Sequence, residues 1–292
     1  MNLIVLLAAY LVRRRLDARD LWSLDPFWRT LFQRTGQATA GKEQRIIRGM
    51  VIVLLPAVLV FAIGWEFRGT VTGLWLRIPE CLLLIFLLGA PGWQSSLRAY
   101  GEAWQRGDMQ GAWHLVRHYL PAQERGDALS PDDMHRSLSR ALIAEHYERY
   151  FLLVFWYVVG GIGAALLVAG LLALRNHWPQ QPARRRYGAI LEVVGWVPSR
   201  LLAITFGVAG DLGGWQAGVL TRVRLSAREL LFRTAETALT GYALNPSRFE
   251  QLHPDEWRDF GARSLAGVRG LLTRSMLVWI CLFALLVIAG WA

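Results

Sequence analysis

Apolar residues in this chain gather into runs of helical length separated by strongly polar stretches. From Met50 to Trp65 the only interruptions are Pro56 and Gly64, and from Phe151 to Leu174 no charged residue occurs. A run of about 20 apolar residues is enough helix to cross a bilayer core. The pattern therefore predicts spans over about 49–67 and 151–174, a shorter one from Ile78 to Trp93 closed by Gly89, Pro91 and Gly92, and a charge-free closing helix from Met276 to Ala292 with the form of a tail anchor. Residues 190–210 are apolar but contain Glu192, Pro198 and Arg200, which predicts a kinked segment that spans the bilayer or lies within it against other helices. The expected fold class is an all-α, polytopic helical membrane protein with about five spans, a kinked segment at 190–210 and small extramembrane helical insertions.

Between the runs the polar stretches carry helix signals. Asp108 after Gly107 is an expected N-cap, and Ser130, Pro131, Asp132 and Asp133 supply a cap, a first-turn proline and first-turn acids. Residues 94–149 read as an extramembrane helical insertion whose last helix runs into the 151–174 span with no breaker before Gly160, Gly161 and Gly163. Those glycines would let a neighbouring helix approach closely. Residues 212–274 read as an amphipathic basic helical region. Within it, Gln216 to Leu244 spreads Arg222, Arg224, Arg228 and Arg233 among Val219, Leu220, Val223, Leu230 and Leu231, as in a helix lying at lipid headgroups. No segment looks like an independent fold, so one membrane domain, 1–292, is expected.

Composition agrees with a lipid environment: of 292 residues, 54% are hydrophobic, with a mean hydropathy of +0.29. The formal charge of +10 comes from 32 Lys and Arg, nearly all Arg, against 22 Asp and Glu. Basic loops beside membrane helices account for this balance, and no nucleic-acid partner is expected. Residues 13–48 should face the cytoplasm. A span at 190–210 would put the basic 212–274 region inside and leave Arg184, Arg185 and Arg186 outside. The apolar start, Met1 to Val12, lacks the charge order and cleavage site of a signal peptide and is expected to be retained. Cys81 and Cys281 lie within apolar runs and suggest no disulfide or metal frame.

Little classical chemistry can be drawn. Gly36, Gly41 and Lys42 match the spacing of a phosphate-binding loop, but Glu43 stands where Ser or Thr should hold magnesium and no strand precedes it. His114 and His118 could share a metal, yet no cysteine supports them, and neither a metal site nor a catalytic residue is expected. Intramembrane charge is more informative. Glu145, His146, Glu148 and Arg149 crowd the edge of a long apolar run, and Arg200 lies among Val197, Leu201, Leu202 and Ile204. A guanidinium there costs several kcal/mol unless it faces protein, water or an anion. Glu192, eight residues earlier, is a candidate charge partner.

Three stretches resemble a known family: Leu21-Trp22-Ser23-Leu24-Asp25, then Glu148-Arg149-Tyr150-Phe151 through Phe155-Trp156-Tyr157-Val158-Val159-Gly160-Gly161, and Trp196-Val197-Pro198-Ser199-Arg200-Leu201. Together they resemble the AmpE family, inner-membrane proteins linked to β-lactamase induction. That family is in turn similar to CbiB and CobD, membrane proteins of cobalamin biosynthesis that join an amino-alcohol to a corrinoid carboxylate at the expense of ATP. The wider resemblance rests on Arg106-Gly107-Asp108, Gly160-Gly161 and Pro198-Ser199-Arg200-Leu201. Where the corrinoid enzymes carry Glu-Asn-Thr-x-Asp, this chain has Ala144-Glu145-His146-Tyr147-Glu148. The resemblance implies a regulatory or sensory protein of the inner (plasma) membrane, tied to cell-wall recycling and the response to β-lactam antibiotics. It would bind a small anionic ligand or a recycling protein without turning it over, and the intramembrane charge points to Glu145, Glu148, Arg149, Trp196 and Arg200 as the place. The alternative is an ATP- and magnesium-dependent amide ligase.

Overall fold

A computed structural model describes residues 2–19, 24–36, 46–66, 75–89, 92–120, 130–213 and 225–290. Among them every regular element is helical and no strand occurs. Lys42 and Gly41, like residues 216–224 of the expected headgroup helix, lie outside the described residues. The chain forms two compact units, one of residues 1–91, 148–198 and 283–292, the other of residues 92–147 and 199–282.

The first unit contains α1 (Asn2–Asp17), α2 (Asp25–Thr35), α3 (Ile47–Glu66), α4 (Arg77–Leu87), a π-helical turn (Tyr147–Phe151), α8 (Leu152–His177) and α9 (Gln181–Val194). Only α3 behaves as a simple span. Its 20 residues make about 30 Å of helix, the thickness of a hydrocarbon core. Val51, Leu54, Leu55, Val58 and Leu59 are exposed on its outer side, as lipid-facing residues are. The helix expected over 78–93 covers only Arg77–Leu87, 11 residues and about 16 Å. It stops where Gly89 takes a left-handed φ of +111°.

The 151–174 run folds differently from the straight crossing its length allows. At Gly160 (φ −129°, ψ 15°) and Gly161 (φ +69°, ψ −168°) the helical path is broken. Glu148, before the break, is bonded to Arg175, 27 residues later. A straight helix would hold those positions about 40 Å apart. The chain therefore reverses at the glycine pair, and α8 is a re-entrant helical hairpin with both roots at one end. Each arm is about 20 Å long, too short to cross the core alone. By length and composition three helices qualify as spans, four with the bent pair Gln181–Val194 and Trp196–Ala209. The 131–177 stretch qualifies on those grounds while its geometry is that of a hairpin.

Glycines pack the returning arm against α3. A Cβ at Gly163 would fall 2.8 Å from the Ala57 carbonyl oxygen and from Phe61 Cβ, and one at Gly170 would collide with Val53. The close approach expected of the glycine cluster occurs at Gly163 and not at Gly161, where nothing lies within 4 Å of the added carbon. The kink expected at 190–210 is a 56° bend between α9 and α10 (Trp196–Ala209) at Gly195.

The second unit contains α5 (Trp93–Gln105), α6 (Met109–Val116), α7 (Pro131–His146), most of α10, α11 (Ala227–Ala238), α12 (Pro246–Leu252), a 3-10 turn (Pro254–Asp259) and most of α13 (Phe260–Ile288). Its helix starts follow the sequence: the Asp108 carboxylate accepts from Gly111 N at 2.8 Å, and Ser130 Oγ accepts from Asp133 N at 3.2 Å. In the core, His135 is wholly buried between the Tyr100 hydroxyl (2.9 Å) and Ser264 Oγ (2.7 Å). It is a satisfied core histidine. The headgroup helix expected over 216–244 is, in its described part, a protein-packed helix. Leu230, Leu231, Phe232 and Ala235 are buried, and α11 lies against α7. Arg136 and Arg140 of α7 reach Glu236 (3.5 Å) and Glu229 (3.6 Å), and both guanidiniums lie over the Phe232 ring.

Candidate functional site

The roots of the hairpin form a layer of charge. The π turn places Glu148, Arg149 and Tyr150 consecutively at the head of the first arm, and such turns are frequent at functional sites. Each side chain goes to a different helix. Glu148, only 7% exposed, accepts from both Nη1 (2.8 Å) and Nη2 (2.5 Å) of Arg175 in the returning arm. This two-pronged, charge-assisted pairing is the strongest geometry available to a carboxylate. Arg149 donates through Nη2 to both oxygens of Asp25 in α2, at 2.8 and 2.9 Å. Tyr150 donates to Asp17 of α1, and Asp17 is also the partner of the buried Arg13 at 2.8 Å.

Arg13 shows how closely this layer is fitted. It is 2% exposed, a buried ion-paired group within α1 rather than part of a solvated basic stretch. A Cβ at Gly89 would occupy the position of its guanidinium. The Gly89 amide meanwhile donates to the Arg149 carbonyl at 3.4 Å. Glycine is required there twice, by its φ of +111° and by the side chain lying against it.

Asp25 is the most adaptable member. His177 Nε2 lies 3.4 Å from it, beside Arg149, and its carboxylate is about one-third exposed. Burial alone would raise its pKa, but the adjacent His177 ring and the Arg149 guanidinium outweigh that and hold the carboxyl well below the usual range. It is an anion seated between two cationic or donor side chains and still reachable from solvent.

The residues singled out in the sequence fall into both units. Glu148, Arg149, Glu192 and Trp196 belong to the first, Glu145 and Arg200 to the second. Glu145 is half-buried in the last turn of α7, while Glu192 and Trp196 are exposed on α9 and α10. Arg200 donates through Nη2 to the Leu225 carbonyl (2.8 Å) and through Nη1 to Ser199 Oγ (3.0 Å), so backbone and hydroxyl oxygens meet part of the requirement of its charge. The layer adds residues that were not among the candidate site residues of the sequence, although Asp25 and Tyr150 lie in stretches that carry the family resemblance: Arg13, Asp17, Asp25, Tyr150, Arg175 and His177. The signals were there, since Arg13 and Asp17 are four apart and Gly161 lies 13 residues after Glu148 and 14 before Arg175. Deeper in the same unit, Glu80 accepts from Tyr157 (2.9 Å) and Arg77 (2.7 Å). His114 lies on α6 and His118 beyond its end. Among the described residues no group of three or more His, Cys, Asp or Glu could hold a metal ion.

Comparison with known proteins agrees with this arrangement of motifs. Residues 1–244 match the family described as regulatory signalling modulator protein AmpE. The chain is 25% identical over 257 residues to the protein AmpE of Shigella flexneri, covering 82% of this chain and 86% of that protein. It is 26% identical over 172 residues to the cobalamin biosynthesis protein CobD of Stutzerimonas stutzeri (strain A1501), covering 50% of this chain and 55% of that protein. No solved structure matches. A family match over more than four-fifths of the chain, in a helical protein with spans of membrane length, makes this a membrane protein that belongs to the AmpE family.

Proposed function

We propose that this protein is a multi-pass regulator of the bacterial inner membrane that modulates β-lactamase induction, by sensing a small anionic ligand or a cell-wall-recycling partner at the hairpin roots. The observation that carries the reading is Asp25, an anion clamped by Arg149 and His177 yet partly open to solvent. A carboxylate or phosphate of a ligand has the chemistry to replace Asp25 on the same donors. Exchange would free α2 from the head of the hairpin and change the state that the membrane domain presents. No bond in the ligand need be broken. Trp196, exposed at the head of α10, and Glu148 are the further residues of the first unit proposed to shape ligand recognition.

The test is β-lactamase induction in cells that depend on this chain, with membrane levels matched. Arg149→Gln should abolish modulation, and Asp25→Asn should shift its set point. An Arg149→Gln protein that modulates like the wild type would sink the proposal.

Similarity to a cobalamin biosynthesis protein over half the chain favours one second reading, an ATP- and magnesium-dependent amide ligase. That reading requires a thermal shift of the purified protein with nucleotide and magnesium. Its absence would leave the regulatory reading in place.

A further inference from the structure

In the second unit, α5 and the start of α13 enclose a groove of about 330 Å³ whose walls include Gln94, Arg98, Glu102, Arg258, Asp259 and Arg269. This is near the lower end of the range for small-molecule sites. In this unit Arg136, Arg140, Arg233 and Arg263 each face a glutamate. The three arginines that converge on the groove do not. Among the described residues no carboxylate lies within ion-pair distance of Arg98, Arg258 or Arg269, although Glu102 and Asp259 line the same walls. Arg269 Nη1 instead bonds the neutral Gln94 amide oxygen at 2.7 Å, and Asp259 accepts from Gln105 Nε2 at 3.1 Å. The three guanidiniums outnumber the two carboxylates on these walls and none is ion-paired, so the concavity keeps a positive excess that an added anion would neutralise.

The depth of the groove narrows the class of anion. Arg269 stands seven residues before Met276, where the charge-free stretch of α13 begins, about 10 Å along the helix axis. With the hydrocarbon boundary at the start of that charge-free stretch, Arg269 would stand at headgroup level. Guanidinium forks match phosphate oxygens pairwise, and three of them suit a group with several oxygens better than a single carboxylate. We propose that this groove is a binding site for a phosphate-bearing group, carried by a phospholipid headgroup or by a small soluble phosphate ester.

The experiment measures thermal unfolding of the full-length protein in detergent with two matched probe pairs, phosphatidic acid against diacylglycerol of the same chains, and glycerol 3-phosphate against glycerol. The comparison variant is Arg98→Ala with Arg258→Ala. Both side chains are exposed and make no ion pair with a described residue, so the fold is expected to be unaffected. Arg269→Gln, which can still hydrogen-bond Gln94, is the second variant. The expected result is stabilisation by at least one phosphate probe over its phosphate-free partner, with apparent affinity about tenfold or more weaker in both variants. Stabilisation confined to phosphatidic acid assigns the groove to a headgroup, and stabilisation by glycerol 3-phosphate assigns it to a soluble ester. No stabilisation by either probe, or equal stabilisation of wild type and variants, would overturn the proposal.

Discussion

Glu148 and Arg175 are 27 residues apart, on the two arms that meet at Gly160–Gly161, and their side chains form a two-pronged ion pair at 2.5 and 2.8 Å. That one contact turns an apparent crossing into a hairpin. It also closes the hairpin at its roots, where both groups are largely buried. Removing one partner of such a pair leaves an uncompensated buried charge, which costs about 3–5 kcal/mol, whereas replacing both by apolar residues of similar size is often neutral. Glu148→Gln and Arg175→Met should therefore each lower the unfolding midpoint in detergent markedly, and the double variant Glu148→Leu with Arg175→Met should recover most of the loss. Additive losses in the double variant would contradict the pairing.

The hairpin also fixes sidedness. Residues just before its first arm and just after its second must emerge on one face of the membrane. With Cys81 and Cys281 replaced, single cysteines at Glu145 and Asn176 should react with an impermeant thiol reagent from the same side. Labelling from opposite sides would restore a straight crossing.

Gly161 has a backbone conformation, φ +69° and ψ −168°, that is essentially confined to glycine. Gly161→Ala should destabilise by about 1–3 kcal/mol although open space surrounds the new methyl group. Gly64→Ala, in a helical part of α3 with nothing within 4 Å, should be neutral or stabilising by about 0.5–1 kcal/mol. Chemical denaturation of the two variants side by side separates backbone strain from crowding.

The pairing of Asp25 makes a pH prediction. Its folded-state pKa is lowered, so the stabilisation it brings is fully present above the ordinary carboxyl pKa and is lost as pH falls through the folded value. At neutral pH, Asp25→Asn should unfold at lower temperature than the wild type. The difference should narrow as the medium is acidified below the ordinary carboxyl range, as followed by thermal scans. A constant offset would mean that the carboxylate charge plays no part.

Much of the fold was legible because local chemistry determines it. The α3 span follows from fourteen apolar residues among the sixteen positions from Met50 to Trp65, and the caps at Asp108 and Ser130 follow from oxygens that satisfy free helix amides. The hairpin was not, because hydropathy counts apolar residues without regard to direction. Phe151 to Leu174 reads alike whether it crosses or turns back. The paired glycines were visible, but as places for a neighbouring helix. In the site, Glu148 and Arg149 stood out by their position beside an apolar run. Asp17, Asp25 and Arg175 did not, since each lies in a stretch where charge is unremarkable and gains its meaning only from a partner 27 to 133 residues away.

The reversal at Gly160–Gly161 bears on how the protein is made. A ribosome delivers residues 151–174 to the insertion machinery as a greasy segment long enough to be threaded through. Both its ends stay on one face only if the segment turns back at the glycine pair, and Glu148 can meet Arg175 only after the second half has been made.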